Sequence, residues 1–352
     1  MTAIERAAQP VASVRKQGRC EKDQPPAERA KPDGMALSGM RAGRLPEKMR
    51  YSVTEVRAEL EQLLQDQLTP LRGRFKDVGI RLAPPEGVEV VPGASLLDPA
   101  TLRDHVTRFG ERIGTADLRI AGVHWLGQLG YALLPPIEIA MTRAGIGLDA
   151  SLSNIGILQP NGQPAEIMIN DLRNTIVLPE RYSGSLPLAQ IGTPIDSAEA
   201  LRHFVLTGLF GHTFRPLIER IHDFSGVSPK VMWGQVAYEA DLFFGQLFRA
   251  APELQTAAWE EDRAAFFQRH EWDLSDGPSP LYGPTRTTLT VDPESGEEKS
   301  RTLRSTCCLI YQVPTGRMCG ACPLAPKRDT VAEKRATAGE RRAAHGVAVK
   351  TA

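Results

Sequence analysis

The chain has no apolar run long enough to cross a bilayer. Its most hydrophobic stretch, Val123 to Leu148, is interrupted by Pro135-Pro136, Glu138 and Arg143, well short of the ~20 clean residues a spanning helix needs. The first twenty residues carry no apolar segment of the secretory kind, so the expected compartment is the cytoplasm. Aromatic residues are scarce, at 6%, and the basic ends do not interleave them as an arm that stacks on bases would. There is no Walker loop and no serine elbow. The single glycine fingerprint, Gly145-Ile-Gly147-Leu-Asp-Ala150, follows a helical pattern and precedes a strand pattern, the reverse of a dinucleotide-binding loop. It reads as a turn, and NAD, FAD and ATP have no visible seat.

Charge is also missing in sum: 42 basic and 42 acidic side chains cancel. The distribution is uneven, with residues 1–50 at net +5, residues 323–352 at net +4 and the body between them at net −9. An acidic body argues against nucleic acid or a membrane surface as its main partner. Hydrophobic residues, at 41%, suffice for a sizeable core. Residues 1–50 are rich in Ala, Arg, Pro and Gln and read as a disordered leader, and 326–352 as a basic disordered tail.

Between these ends the expected fold class is α+β. Apolar spacing predicts a helix from Ser52, then, beyond a Pro/Gly link, a helix over Ala100–Ile113 opened by Asp98-Pro99. Residues 115–145 read as buried helices broken at Pro135-Pro136. The period then changes to two: Leu152–Leu158 and Ala165–Ile169, joined through Asn161-Gly162, predict a small antiparallel sheet, with Asn174–Leu178 as a third strand. Helix returns from Ser197 to Phe224, with a kink expected near Gly208, Gly211 and Pro216. Further helices are expected over Lys230–Arg249 and Pro252–Arg269. The segment 276–325 is Thr-rich and reads as a hairpin ending in a metal knuckle, after a mainly helical body over 51–275.

Cysteine is rare as well, and its placement is informative. Of five, Cys20 stands alone in the leader and reads as a free thiol, while Cys307, Cys308, Cys319 and Cys322 fall within sixteen residues. In a reducing compartment such a set reads as a metal site before a disulfide framework. Cys319-Gly-Ala-Cys322 makes a compact turn that can aim two thiolates at one metal, with Gly320 available for a positive φ. Pro314-Thr315-Gly316 allows the chain to reverse. Neighbouring strand residues face opposite ways, so Cys307 and Cys308 must leave strand geometry to serve one centre. Four thiolates fit a [2Fe-2S] cluster. Structural zinc and inert thiols remain open on spacing alone, although zinc knuckles usually pair separated cysteines. No histidine adjoins either pair, which excludes a Rieske centre.

The segment TCCLIYQVPTGRMCGACPL resembles the C-terminal signature of the FhuF-like ferric-siderophore reductases. WLGQLGYALLPPIEIAMTRAGIGLDASLSNIGILQPNGQPAEI and the Trp233-Gly234 helix SGVSPKVMWGQVAYEADLFF resemble that family too, so the likeness spans roughly residues 98–324; the first of these segments is also found in the C-terminal part of siderophore synthetases. The resemblance implies a [2Fe-2S] cluster on Cys307, Cys308, Cys319 and Cys322, and one-electron reduction of Fe(III) in a ferric siderophore, hydroxamate type included, after import. It also implies an external electron donor, such as a ferredoxin or flavin reductase, and peripheral association with the inner-membrane importer. An iron–sulfur electron carrier, a synthetase relative or a zinc-stabilised binding module are the alternatives. His203, His212 and His222 share one predicted helix, where steps of nine and ten residues turn by about 180° and about 280° and do not converge. His212 and Trp233 are the candidates for substrate contact; Trp125, Trp233 and Trp272 also read as core.

Overall fold

The computed structural model describes residues 51–69, 78–250, 252, 256–269, 278–291, 298–314 and 316–324. The leader, Cys20, Trp272 and the basic tail lie outside the described residues.

The first helix, α1 (Val53–Leu68), starts at a capping box: Ser52 Oγ accepts from Glu55 N, and Glu55 Oε2 accepts from Ser52 N at 2.7 Å. Asp98 caps α2 (Pro99–Ile113) with proline in the first turn, and Gly114 ends it in the left-handed region at φ 80°. The third helix, α3 (Leu118–Thr142), is the axis of the body. It is buried on nearly every face, Trp125, Leu129 and Leu133 completely, as expected of a helix apolar all round. It runs through Pro135 and Pro136 without a break, contrary to the expected interruption. Each interior proline costs about 3 kcal/mol of helix, and burial against α1, α2 and the later helices outweighs that cost.

The sheets are small and mixed rather than purely antiparallel. Strands β1 (Ile80–Arg81), β5 (Glu166–Ile169), β4 (Ile155–Leu158) and β2 (Val90–Pro92) lie in that order, with β1 parallel to β5 and the other pairs antiparallel. The β4–β5 pair is the expected hairpin, turning at Gly162 with φ 74°. The expected third strand, β6 (Ile176–Val177), joins another sheet, between β3 (Ile146–Gly147) and β7 (Thr193–Pro194), just after the short helix α4 (Leu188–Ile191).

Next come α5 (Ala198–Leu206), capped by Ser197, and α6 (Arg215–Ser225), stopped by Gly226 at φ 70°. Where a kink was expected, the chain instead widens into an eight-residue π-helical stretch, Thr207–Phe214. Helix α7 (Pro229–Ala250) packs along α3, and α8 (Ala257–Phe267) closes the core with Trp259, Phe266 and Phe267 around Phe244. The helix expected from Pro252 begins at the Thr256 cap. The hairpin β8 (Thr285–Val291) and β9 (Glu298–Arg304) then leads to the cysteines. The fold is α+β, as read from the sequence. Among the described residues no helix is long and apolar enough to cross a membrane.

Candidate metal centre

Strand β9 ends at Arg304, three residues before Cys307. Cys307, Cys308 and Leu309 belong to no strand, and Leu309 takes φ 64°. It is the one non-glycine residue with positive φ among those described, a conformation that costs an L-residue about 1–2 kcal/mol. That turn lets two adjacent cysteines escape the alternation of a strand. The left-handed position therefore falls at Leu309 and not at Gly320, which has no positive φ. Leu309 N–H points to Cys307 Sγ at 3.4 Å.

After a single 3-10 turn, Ile310–Gln312, the chain reverses. Gly316 is required there, because a Cβ would collide with the Ile310 carbonyl. Cys322 N donates to Cys319 O at 2.9 Å, closing the knuckle, and Arg304 N donates to Ala321 O at 2.8 Å, which ties the knuckle to the hairpin. The whole segment rests on α3 and α7. His124 Nε2 of α3 lies 2.9 Å from Cys308 O. Thr306 sits directly on Gly234 of α7, with no room for a Cβ between them.

All four cysteines of this segment are free thiols; Cys308 and Cys322 are buried, Cys307 and Cys319 half-buried. Cys308 and Cys319 have their sulfurs 3.9 Å apart, close to the ~3.8 Å expected of two thiolates on one tetrahedral ion with bonds of ~2.3 Å. Among the described residues, however, no three His, Cys, Asp or Glu side chains gather as ligands of a single metal ion.

The electrostatics single out Cys308 as the thiolate. Cys308 is held well below the ordinary thiol range, first by the hydrogen bond with Cys319, then by His124 and the charge of Arg304, against the opposing effect of burial. Cys319 keeps the shared proton and is pushed up. Burial pushes Cys307 up as well, with Leu309 N–H opposing. Behind them, burial pushes the Glu239 carboxyl up to about 7, against the pull of Arg304 and His124.

The two substrate candidates lie in separate cavities. Trp233, in the turn of α7 that meets Thr306, lines one of about 380 Å³ with Arg215, Glu219, Pro278 and Pro280. His212 lines another, of about 460 Å³, with His203, Asp149, Asn174 and Thr207. The expectation that His203 and His212 point apart assumed 3.6 residues per turn; the π-helical stretch between them turns more widely and puts both on one cavity. A further cavity of about 750 Å³ is lined by α1, β1 and Glu166 of β5, and no cysteine lines it. Residues that sequence reasoning missed are His124, Gln235, Tyr238, Glu239 and Arg304. For the four on α3 and α7 the available signal was polar side chains set among apolar residues and glycines.

A mainly helical α+β body with a four-thiol segment sewn onto two of its helices, that segment matching a 2Fe-2S domain, makes this an iron–sulfur protein. The chain belongs to the FhuF-like family: residues 123–294 match the family described as ferric iron reductase FhuF-like transporter, and residues 304–324 match the FhuF 2Fe-2S C-terminal domain. Its cofactor is a [2Fe-2S] cluster. No curated protein matches the chain. Solved structures with a similar fold include aerobactin synthetase IucC from a hypervirulent pathotype of Klebsiella pneumoniae, at 18% identity and TM-score 0.43, covering 58% of this chain and 37% of that one. Petrobactin biosynthesis protein AsbB from Bacillus anthracis str. Sterne matches at 15% identity and TM-score 0.46, covering 66% and 47%. ATP-bound aerobactin synthetase IucA, from the same Klebsiella pathotype, matches at 14% and 0.49, covering 66% and 49%. The chain thus spans less than half of each of these proteins, and likeness of this degree carries no functional argument.

Proposed function

We propose that this protein is a cytoplasmic ferric-siderophore reductase in which Cys307, Cys308, Cys319 and Cys322 are the ligands of the [2Fe-2S] cluster. The observation that carries the reading is four free thiols on one short segment, with a left-handed turn and a knuckle, matched to a [2Fe-2S] domain. Such a group supplies a one-electron store. The protein's own residues would hold it: His124 meets the Cys308 carbonyl, the Arg304 main chain binds the knuckle, and Cys308 and Cys322 are buried.

The electron balance is simple. An external donor, a reduced ferredoxin or flavin reductase, gives one electron, and the same electron converts Fe(III) of the bound siderophore to Fe(II). Hard oxygen donors hold Fe(III) far more tightly than Fe(II), so the iron is released and the siderophore freed. Trp233 is proposed as a contact for the ferric complex, hydroxamate type included, because it lines a cavity and its neighbour Gly234 packs against Thr306 at the start of the cysteine loop. His212 is a second candidate, in the other cavity. Peripheral association with the inner-membrane importer would place the protein where its substrate arrives.

The test is anaerobic mixing of the reduced protein with a ferric hydroxamate siderophore and an Fe(II)-trapping chelator. Trapped Fe(II) should appear in step with cluster oxidation, and Trp233→Ala should slow it by about tenfold or more, the order of a lost aromatic contact of 1–2 kcal/mol. Ready transfer to a redox protein with none to any ferric siderophore would make it an electron carrier instead.

A further inference from the structure

Arg304 holds both halves of the cysteine segment. It ends β9 just before the Cys307-Cys308 pair, and its N–H binds the carbonyl of Ala321 inside the Cys319–Cys322 knuckle. Its side chain turns inward and is only 3% exposed. The guanidinium lies over the ring of Tyr238, 4.1 Å from the centroid, and donates through Nη2 to Gln235 Oε1. Gln235 in turn donates to Glu239 Oε1 at 2.8 Å. Tyr238 and Gln235 thus form a bracket on α7, and α7 can approach α3 at this level because Gly127 leaves no Cβ to meet the Gln235 amide.

A buried cation costs several kcal/mol unless charge of the opposite sign offsets it. Glu239 offers only part of that charge, since its own burial favours the protonated acid. The remaining compensation lies in the segment that Arg304 itself joins, with Cys307 three residues further on and the Cys319–Cys322 knuckle bound to its N–H. Four thiolates on two ferric ions and two sulfides sum to a dianion, and one added electron makes it a trianion. A fixed positive charge buried beside the cysteine segment favours the more negative state.

We propose that Arg304 is a positioning residue that sets the reduction potential of the iron–sulfur centre, its buried charge favouring the reduced form and the Tyr238–Gln235 bracket fixing its distance. The inference rests on the cysteine ligand set proposed above. It assigns to this side chain the choice of donor: a higher midpoint lets a weaker reductant load the centre.

The experiment is an EPR-monitored redox titration of the anaerobically purified holoprotein at fixed pH. Arg304→Gln should lower the midpoint by at least about 59 mV, a tenfold shift in the electron's partition, and Arg304→Lys should keep most of the wild-type value. An unchanged midpoint in Arg304→Gln, with the cluster signal intact, overturns the proposal. If Arg304→Gln does not retain the cluster, Gln235→Leu decides: it leaves the charge but loosens the bracket, and its midpoint should fall by a smaller step. No fall there, or loss of the cluster in that variant as well, overturns the proposal and leaves Arg304 only a folding role. A wild-type protein without a [2Fe-2S] signal would instead remove the ligand set itself, so the two failures are distinguishable.

Discussion

Glu138 lies wholly buried in α3, and neither carboxyl oxygen has a hydrogen-bond partner among the described residues. Burial, with the charge of Asp241 added, pushes its carboxyl well above the usual carboxylate range. The sign of the stability effect follows. An acid that binds its proton more tightly when folded contributes stability at low pH and loses it as pH rises from about 4.5 towards the folded value. Glu138→Met should therefore be more stable than wild type at pH 8, by about 1 kcal/mol or more, with the gap closing towards pH 5. Urea unfolding at both values checks this, and an equal gap at the two would contradict it. The sequence showed a carboxylate interrupting an apolar run, which sufficed to exclude a membrane span. Its isolation is a property of the packing and could not be read there. Cys307 and Cys308 are the opposite case: that the pair must leave strand geometry was readable from side-chain alternation, and only the site of the left-handed turn, Leu309 rather than Gly320, needed coordinates.

At the level of elements, the contact of α7 with the cysteine loop depends on one missing methyl group. An added Cβ at Gly234 would overlap the Thr306 side chain and lie 2.8 Å from its Cβ. Gly234→Ala should cost about 1–3 kcal/mol by overpacking and loosen the segment that carries Cys307. Thermal unfolding and cluster content measure both, and Thr306→Gly in the same chain should restore them. Failure of that rescue would mean the glycine serves the helix rather than the loop. Helix starts were legible because their signals are local: Ser52, Asp98 and Ser197 cap where expected. The passage of α3 through two prolines and the π-helical stretch after α5 were not. In both, tertiary burial overrides the local rule, and periodicity at 3.6 residues per turn carries no trace of it. The bracket of Gln235, Tyr238 and Arg304 was hidden for another reason, since its members stand up to 69 positions apart in the chain and meet only after β9 folds onto α7.

Across the whole molecule the division of labour is between a large, dry body and a short redox segment. The fold class and the four cysteines were legible because each leaves a strong local pattern. The cavity proposed for the substrate was not, because Arg215, Trp233 and Pro278 come from three separate stretches. A body of this size exceeds what holding a cluster requires, and reading it as a platform for a ferric complex accounts for the excess. Everything in that account depends on the four thiolates sharing one two-iron centre. The most direct measurement is iron, sulfide and zinc content with EPR on the anaerobically purified protein, beside Cys→Ser variants at positions 307, 308, 319 and 322. The account predicts two irons and two sulfides per chain, silence when oxidised, a one-electron signal when reduced, and loss or marked alteration of that signal in each variant. A colourless protein with stoichiometric zinc, or a signal indifferent to any one of the four substitutions, would contradict it.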